Sequence, residues 1–492
     1  MAQHPHIVIF NPDQWRGDVM AHMGNPAAVT PNLDRHVQTD AVSFRNAFCQ
    51  NPVCTPSRCS FMTGWYPHVR GHRTMFHMLR LPDEVPIIKT LRDNGYFVWW
   101  GGKNDLVPGQ LGYDAYCDVK YRVPQIPSRQ KMTEACRNYR GKQGSDTFYS
   151  FYLGKIETES GEPYYDHDWG NVLGAIEFIK NPPTDKPLCI YLPLTYPHPT
   201  YAVEEPYYSM IDRGKLPPRT PAPKDWTGKP SIVKGIWERQ NMQGWTEERW
   251  TDLRATYYGM CARLDHQFSM VMDALKEAGI YDETAVFLFS DHGDFTGDYG
   301  VVEKTQNTYE DCLSRVPFII KPPAGVPVRP RVSDALVELV DFSATVEALT
   351  GIRQPHNHCG RSLLPVLAGE TDEHRDAVFC EGGRLRGERQ CMELESEQFD
   401  KPERPYWPRL VLQAGEGPEH SRATMLRTKE YKYVRRLYES DELYDLRTDP
   451  QELHNRIDDP ALADVLRRLR ERMLKFYFET SDVVPFTTDR RG

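Results

Sequence analysis

The chain has 492 residues, 39% hydrophobic and 26% charged, with 60 basic against 69 acidic side chains and a net charge of −9. A chain of this length buries a large core in two or more domains, or in one large domain with an appendage, and its composition is that of a folded protein. The charges are scattered and no basic run could follow a phosphate backbone, so nucleic acid is excluded as a partner; no apolar stretch reaches membrane-span length. The segment Met1-Ala2-Gln3-His4-Pro5-His6 runs at once into Ile7-Val8-Ile9-Phe10, too short for a signal-peptide core and without a basic leader. The eleven cysteines are odd in number and unevenly spaced, so a reducing compartment, the cytoplasm, is expected. Cys49, Cys54 and Cys59 recur every five residues, a spacing that scatters them around a helix and argues against zinc.

Residues 6–10 read as a parallel strand buried on both faces, ending in Asn11-Pro12-Asp13-Gln14, where open α/β sheets place their ligands. Cys54-Thr55-Pro56-Ser57-Arg58 runs into a helix-like segment, which puts a reactive side chain at a helix N-terminus suited to an anion. Gly71-His72-Arg73-Thr74 forms a cationic loop with His77 close behind. Residues 86–95 predict a helix and 96–100 a strand, followed by Gly101-Gly102-Lys103-Asn104-Asp105. Residues 119–165 lack periodicity and read as an insertion over the mouth of a site. A helix over 172–179 and a strand over 188–194 lead to Tyr196-Pro197-His198-Pro199. Residues 200–250 read as loop, 252–278 as a long helix, and 285–289 as a strand ending in Ser290-Asp291-His292-Gly293-Asp294. Lys304 follows, then a strand over 316–320. After 351 the character changes: a strand over 377–381, a loop over 383–420 returning toward the site, paired strands over 424–428 and 431–434, and an amphipathic helix over 461–478.

Cys54, Pro56 and Arg58, with Thr63-Gly64 nine residues after the cysteine, closely resemble the modification signature of the type I sulfatases, members of the alkaline phosphatase superfamily. In these enzymes a separate formylglycine-generating enzyme oxidises the cysteine to Cα-formylglycine. Thr30-Pro31-Asn32-Leu33-Asp34, Lys103, His198, Asp291-His292, Lys304, Gly360-Arg361-Ser362-Leu363 and Glu442-Leu443-Tyr444-Asp445-Leu446 follow in family order. The resemblance implies an α/β fold, a large mixed and mostly parallel sheet flanked by helices over 1–375, with a smaller antiparallel sheet plus helix over 376–492. It implies one divalent metal held by Asp13, Gln14, Cys54, Asp291 and His292; the oxygen-rich set favours Ca²⁺ first and Mn²⁺ or Mg²⁺ second. Modified Cys54 would be the nucleophile, with Arg58, Lys103, His198 and Lys304 catalytic, and His77 and Asp105 binding substrate.

The substrate so implied is a small-molecule or saccharide sulfate ester, and a homo-oligomer is compatible with the chain. Two positions depart from the family pattern. Gln14 stands where the sulfatases carry a second Asp, a variant that resembles the phosphonate monoester hydrolases, and Asp105 stands where they carry a His. Phosphonate monoester or phosphodiester hydrolysis on the same machinery is therefore the alternative. A protein that keeps the fold and binds anions without chemistry is opposed by the presence of nucleophile, ligands and cations together.

Overall fold

Ile7-Val8-Ile9-Phe10 is apolar at every position because its strand is covered on both faces. Ile7 and Ile9 enter one core with Cys189, Tyr191, Phe287 and Phe289, whereas Val8 and Phe10 enter the opposite one with Ile190, Leu192, Val286 and Leu288. The structure, a computed structural model, describes residues 4–393, 400–486, 488, 490 and 491. Residues 1–3, part of the N-terminal reading, and 394–399, part of the expected loop over 383–420, lie outside the described residues.

In chain order the strands are β1 (His6–Asp13), β2 (Val42–Phe48), β3 (Phe97–Gly101), β4 (Val119–Tyr121), β5 (Tyr152–Lys155), β6 (Leu188–Pro197) and β7 (Tyr201–Val203). They continue with β8 (Thr284–Phe289), β9 (Phe318–Lys321), β10 (Arg331–Glu338), β11 (Val378–Gly382), β12 (Ala423–Arg427), β13 (Tyr431–Arg436) and β14 (Glu442–Asp445). Eight of them form the main sheet in the order β10-β2-β9-β8-β1-β6-β3-β4. Neighbours are parallel except β9, which runs antiparallel to both β2 and β8. The expected mixed, mostly parallel sheet is thus present. Because β1, β3, β6 and β8 all run the same way, the segments that follow them gather at one edge, the ligand edge of open α/β sheets.

The long helix Glu247–Glu277 packs on one face with Pro31–Thr39 and His167–Lys180, and Cys54–Thr63, Ile87–Asp93 and Asp341–Thr350 cover the other. Thr246 caps the long helix by accepting from Arg249 N, so it starts earlier than its apolar periodicity indicated. The strands β11 to β14 form a separate antiparallel sheet, against which Ala463–Thr480 lays Leu469, Met473 and Phe476. Phe476 stacks on Phe379 with centroids 3.8 Å apart.

Several stretches depart from the reading above. Residues 200–250 are not all loop: they contain β7 and the helix Ser231–Gln240, whose Ile232, Val233 and Ile236 are buried against Leu412. Leu412 belongs to another unanticipated helix, Trp407–Ala414, within the expected returning loop. Both helices are short and surrounded by Pro, Trp and charge, and tertiary packing rather than propensity makes them. The residues 119–165 hold only short elements, and Tyr139, Arg140 and Tyr149 tie them to Thr200, Glu403 and Pro402. All eleven cysteines are free, and among the described residues no helix is long and apolar enough to cross a membrane.

A buried ion cluster joins the two sheets. Arg375, just before β11, reaches Glu338 at the end of β10 (2.9 Å) and bonds Asp341 through Nε at 2.9 Å. Glu338 in turn accepts from Phe379 N of β11 at 2.7 Å. Truncating Arg375 would strand two buried carboxylates, so Arg375→Ala is expected to lower unfolding free energy by about 3–5 kcal/mol in urea titration. A loss below about 1 kcal/mol would show that the cluster does not hold the sheets together.

Candidate active site

The helix Cys54–Thr63 starts after an extended Val53, tolerates Pro56 in its first turn, where no N–H partner is needed, and ends at Gly64 with φ +73° and its N–H on Ser60 O. All ten of its residues are buried. Cys54 and Arg58, four apart, share one face. Arg58 Nε donates to Asp291 Oδ2 (2.9 Å), Nη1 to Asn11 Oδ1 (2.9 Å) and Nη2 to Asp13 Oδ2 (3.0 Å). Ser57 Oγ adds a bond to Asp291 O at 2.6 Å.

Asp13 comes from the end of β1, and Asp291 and His292 follow β8, its parallel neighbour. With Cys54 they form one buried group whose donor atoms all lie within 4.8 Å of one another. His292 Nδ1 donates to Gly293 O (2.9 Å), which leaves Nε2 facing Cys54 Sγ at 3.2 Å and Asp13 Oδ1 at 3.6 Å. Burial lowers the His292 pKa, so the ring is neutral and Nε2 carries its lone pair. Burial pushes Asp13 upward, but Lys103, Arg58, His198 and His292 together hold it well below the usual carboxylate range. Two carboxylates and a neutral imidazole nitrogen beside a thiol fit a divalent cation.

Gln14 sits in the left-handed region, φ +74°, beside this group. Its Oε1 accepts from Lys304 Nζ at 2.7 Å, and its Nε2 donates to Asp294 Oδ2 at 2.5 Å. Lys304 Nζ also bonds Glu303 Oε1 at 2.7 Å. Lys103, past the end of β3, brings Nζ to 2.7 Å from Asp13 Oδ2, 2.9 Å from Asp105 Oδ2 and 3.6 Å from Cys54 Sγ. The turn that delivers it depends on Gly102: φ is +93° and a Cβ would lie 2.0 Å from Pro193 O.

Asp105, read from the sequence as substrate-binding, pairs with the Lys103 ammonium and orients it. His198 donates Nδ1–H to Pro199 O (2.7 Å), and burial with Lys304 and Lys103 nearby holds it neutral, well below its ordinary pKa. His77 is engaged elsewhere: its Nδ1 lies 2.9 Å from Thr74 Oγ1, and its carbonyl accepts from His72 Nδ1. Burial and Asp13 push the unmodified Cys54 thiol well above its usual range against the pull of Lys103 and Lys304. As a thiol it would be a protonated, weak nucleophile.

A supporting layer lies outside what the sequence reading assigned. Asp294, pushed up to about 6 by burial, accepts from Tyr201 Oη (2.8 Å), Thr296 and Gln14. Glu303 Oε2 takes Arg409 Nη1 at 2.7 Å, and Arg409 Nη2 reaches Glu393 at 3.0 Å. Asn11 and Asp294 lie inside the strand-end motifs and Glu303 adjoins Lys304, so position could have flagged them; Arg409, about 100 residues further on, gives no local signal.

Comparison with known proteins agrees with this geometry. A family model described as Sulfatase matches residues 5–352, and one described as N-sulphoglucosamine sulphohydrolase, C-terminal, matches 417–478. An arylsulfatase of Clostridium perfringens is 26% identical, covering 96% of this chain and 94% of its own. The multifunctional alkaline phosphatase superfamily protein PehA of Trinickia caryophylli is 23% identical over 97% of this chain and 96% of its own. The crystal structure of the phosphonate monoester hydrolase of Agrobacterium radiobacter superposes with a TM-score of 0.73 at 23% identity, covering 97% of this chain and 96% of that one. With the family model spanning both strand-end motifs, the nucleophile helix and Lys304, the chain belongs to the sulfatase family of sulfuric ester hydrolases.

Proposed function

We propose that the protein cleaves an organic sulfate ester to alcohol and inorganic sulfate through formylglycine at position 54 and a single divalent cation, Ca²⁺ before Mn²⁺ or Mg²⁺. The observation that carries this reading is the buried convergence of Cys54 Sγ with the donors of Asp13, Asp291 and His292, with Lys103 Nζ 3.6 Å away. Asp13, Asp291, His292 and the second lone pair of Gln14 Oε1 would hold the cation. Hydrated formylglycine supplies two hydroxyls on one carbon, and the cation supplies charge that favours ionisation of one of them.

The chain's own residues do the rest. Arg58 holds the Asp13 and Asp291 carboxylates in place. Lys103 and Lys304, whose charges both bear on the side chain at position 54, would offset charge on the equatorial sulfate oxygens. The departing oxygen needs a proton to leave as the alcohol, and His198, whose Nδ1–H is bound to Pro199 O, can supply one only when Nε2 is also protonated. The free cysteines support a cytoplasmic location.

The Asp13-Gln14 pair favours a second reading, hydrolysis of phosphonate monoesters or phosphodiesters. Initial rates on phenyl sulfate and on a phenyl phosphonate ester separate the two: higher kcat/KM on the sulfate supports the first.

Cys54→Ala and Cys54→Ser should both lose nearly all turnover, since neither can carry two hydroxyls. Near-parental activity of Cys54→Ser would remove formylglycine from the account, and the mass of the peptide containing residue 54 tests the modification directly. Chelation should abolish activity and Ca²⁺ should restore it more fully than Mn²⁺ or Mg²⁺; the reverse order of restoration would reassign the metal. Lys304→Ala is expected to lower kcat by about 10²–10³. An unchanged kcat would place Lys304 outside the reaction.

A further inference from the structure

Lys103 also belongs to the wall of a second space. An open cavity of about 450 Å³ is lined by Lys103 together with Lys120, Arg122, His167, Tyr113 and Asn171, among others. None of its lining residues carries a carboxylate, although the chain as a whole has a net charge of −9. Lys120, on the edge strand β4, donates from Nζ to Gly102 O at 2.7 Å and stands 5.0 Å from the Trp100 ring centre and 5.5 Å from that of Tyr113. It has no acidic partner among the described residues, and burial pulls its pKa down to about 8. Arg122, exposed just beyond the strand, pairs with no carboxylate among the described residues either. Asn171, 4% exposed, uses Nδ2 on His167 O at 2.7 Å and leaves Oδ1 buried without a partner.

Most basic side chains in this protein are paired with acids, including Lys304 with Glu303 and Arg409 with Glu393. A cluster of cations facing a common space, with no acid in the wall and a catalytic lysine at its border, is arranged for an anion that is not part of the chain. The aromatic rings of Tyr113 and Tyr121, both in the lining, suit a ring that carries hydroxyls. Gly102 fixes the spatial relation: the turn that places Lys103 beside Cys54 also offers the carbonyl that anchors Lys120.

We propose that this cavity is an anion subsite, which holds a carboxylate or a second sulfate on the organic part of the substrate while the scissile sulfate sits at position 54. The inference rests on the sulfatase reading and narrows its substrate class to sulfate esters that bear a further negative group.

The test compares phenyl sulfate with its 3- and 4-carboxy and 3- and 4-sulfo derivatives, and a 2-O-sulfated hexuronate with the matching neutral hexose sulfate. At least one anionic partner should exceed its neutral counterpart about tenfold in kcat/KM, and this ratio should fall toward one in a Lys120→Gln/Arg122→Gln variant whose thermal melting matches the parent. The carboxylate and sulfate arms identify which anion is preferred. A ratio near one for the parent in every pair, or an unchanged ratio in the variant, overturns the subsite. Should no sulfate be turned over at all, the sulfatase reading itself fails. Calorimetric titration of Cys54→Ala with the same compounds then decides the subsite alone: tighter anionic binding that the double substitution removes supports it, and equal binding overturns it.

Discussion

Arg58 is the tie on which the site depends. Its guanidinium is fully buried, and withdrawing that charge from water is costly unless carboxylates meet it. Asp13 and Asp291 do so from the ends of two neighbouring parallel strands, with Asn11 completing the shell. The same three contacts fix the helix that carries residue 54 against the sheet edge, one turn away from the guanidinium. Carboxylates that would repel one another in a buried site are each met by the guanidinium and held in place for a cation. The placement of residue 54 and that of Asp13 and Asp291 are therefore not two features but one, set by a single side chain.

Lys304 shows how far such support extends. Its ammonium is shared by Glu303 and the Gln14 oxygen; Glu303 is held by Arg409, and Arg409 by Glu393. The substitution at position 14 is coherent with this surrounding. A second aspartate there would stand beside buried Asp294, whereas the amide donates to it. The lost ligand charge is partly a gain for a site that already contains three acids in Asp13, Asp291 and Asp294.

Much of this was legible in the chain itself, for physical reasons that also explain the gaps. β1 and β8 declare themselves as unbroken apolar runs because both faces are covered, and the polar residues that end them stand out by contrast. β2 escaped notice: Arg45 and Asn46 interrupt it, and they are tolerated because they reach Asp334 near the sheet margin. The helices Ser231–Gln240 and Trp407–Ala414 were hidden by composition, since they pack together in a cluster completed by the distant Phe295, Tyr299, Val301 and Leu313. Of the other assigned site residues, nine converge around position 54, while His77 engages Thr74 instead. No local pattern distinguishes a histidine that closes its own turn from one that faces a pocket.

The complete burial of the helix Cys54–Thr63 has a temporal side. Cys54 is 1% exposed in the finished fold; β1 and β2 precede it, but the roughly 440 residues after it include the six other strands of the main sheet and the arginine that steadies Lys304. At ribosomal rates those residues take about 20–90 s to appear. An enzyme that alters the side chain at position 54 must meet an extended chain within that interval, before β8 arrives and the sheet closes. The order of synthesis, with the reactive position early and its covering late, keeps that interval open.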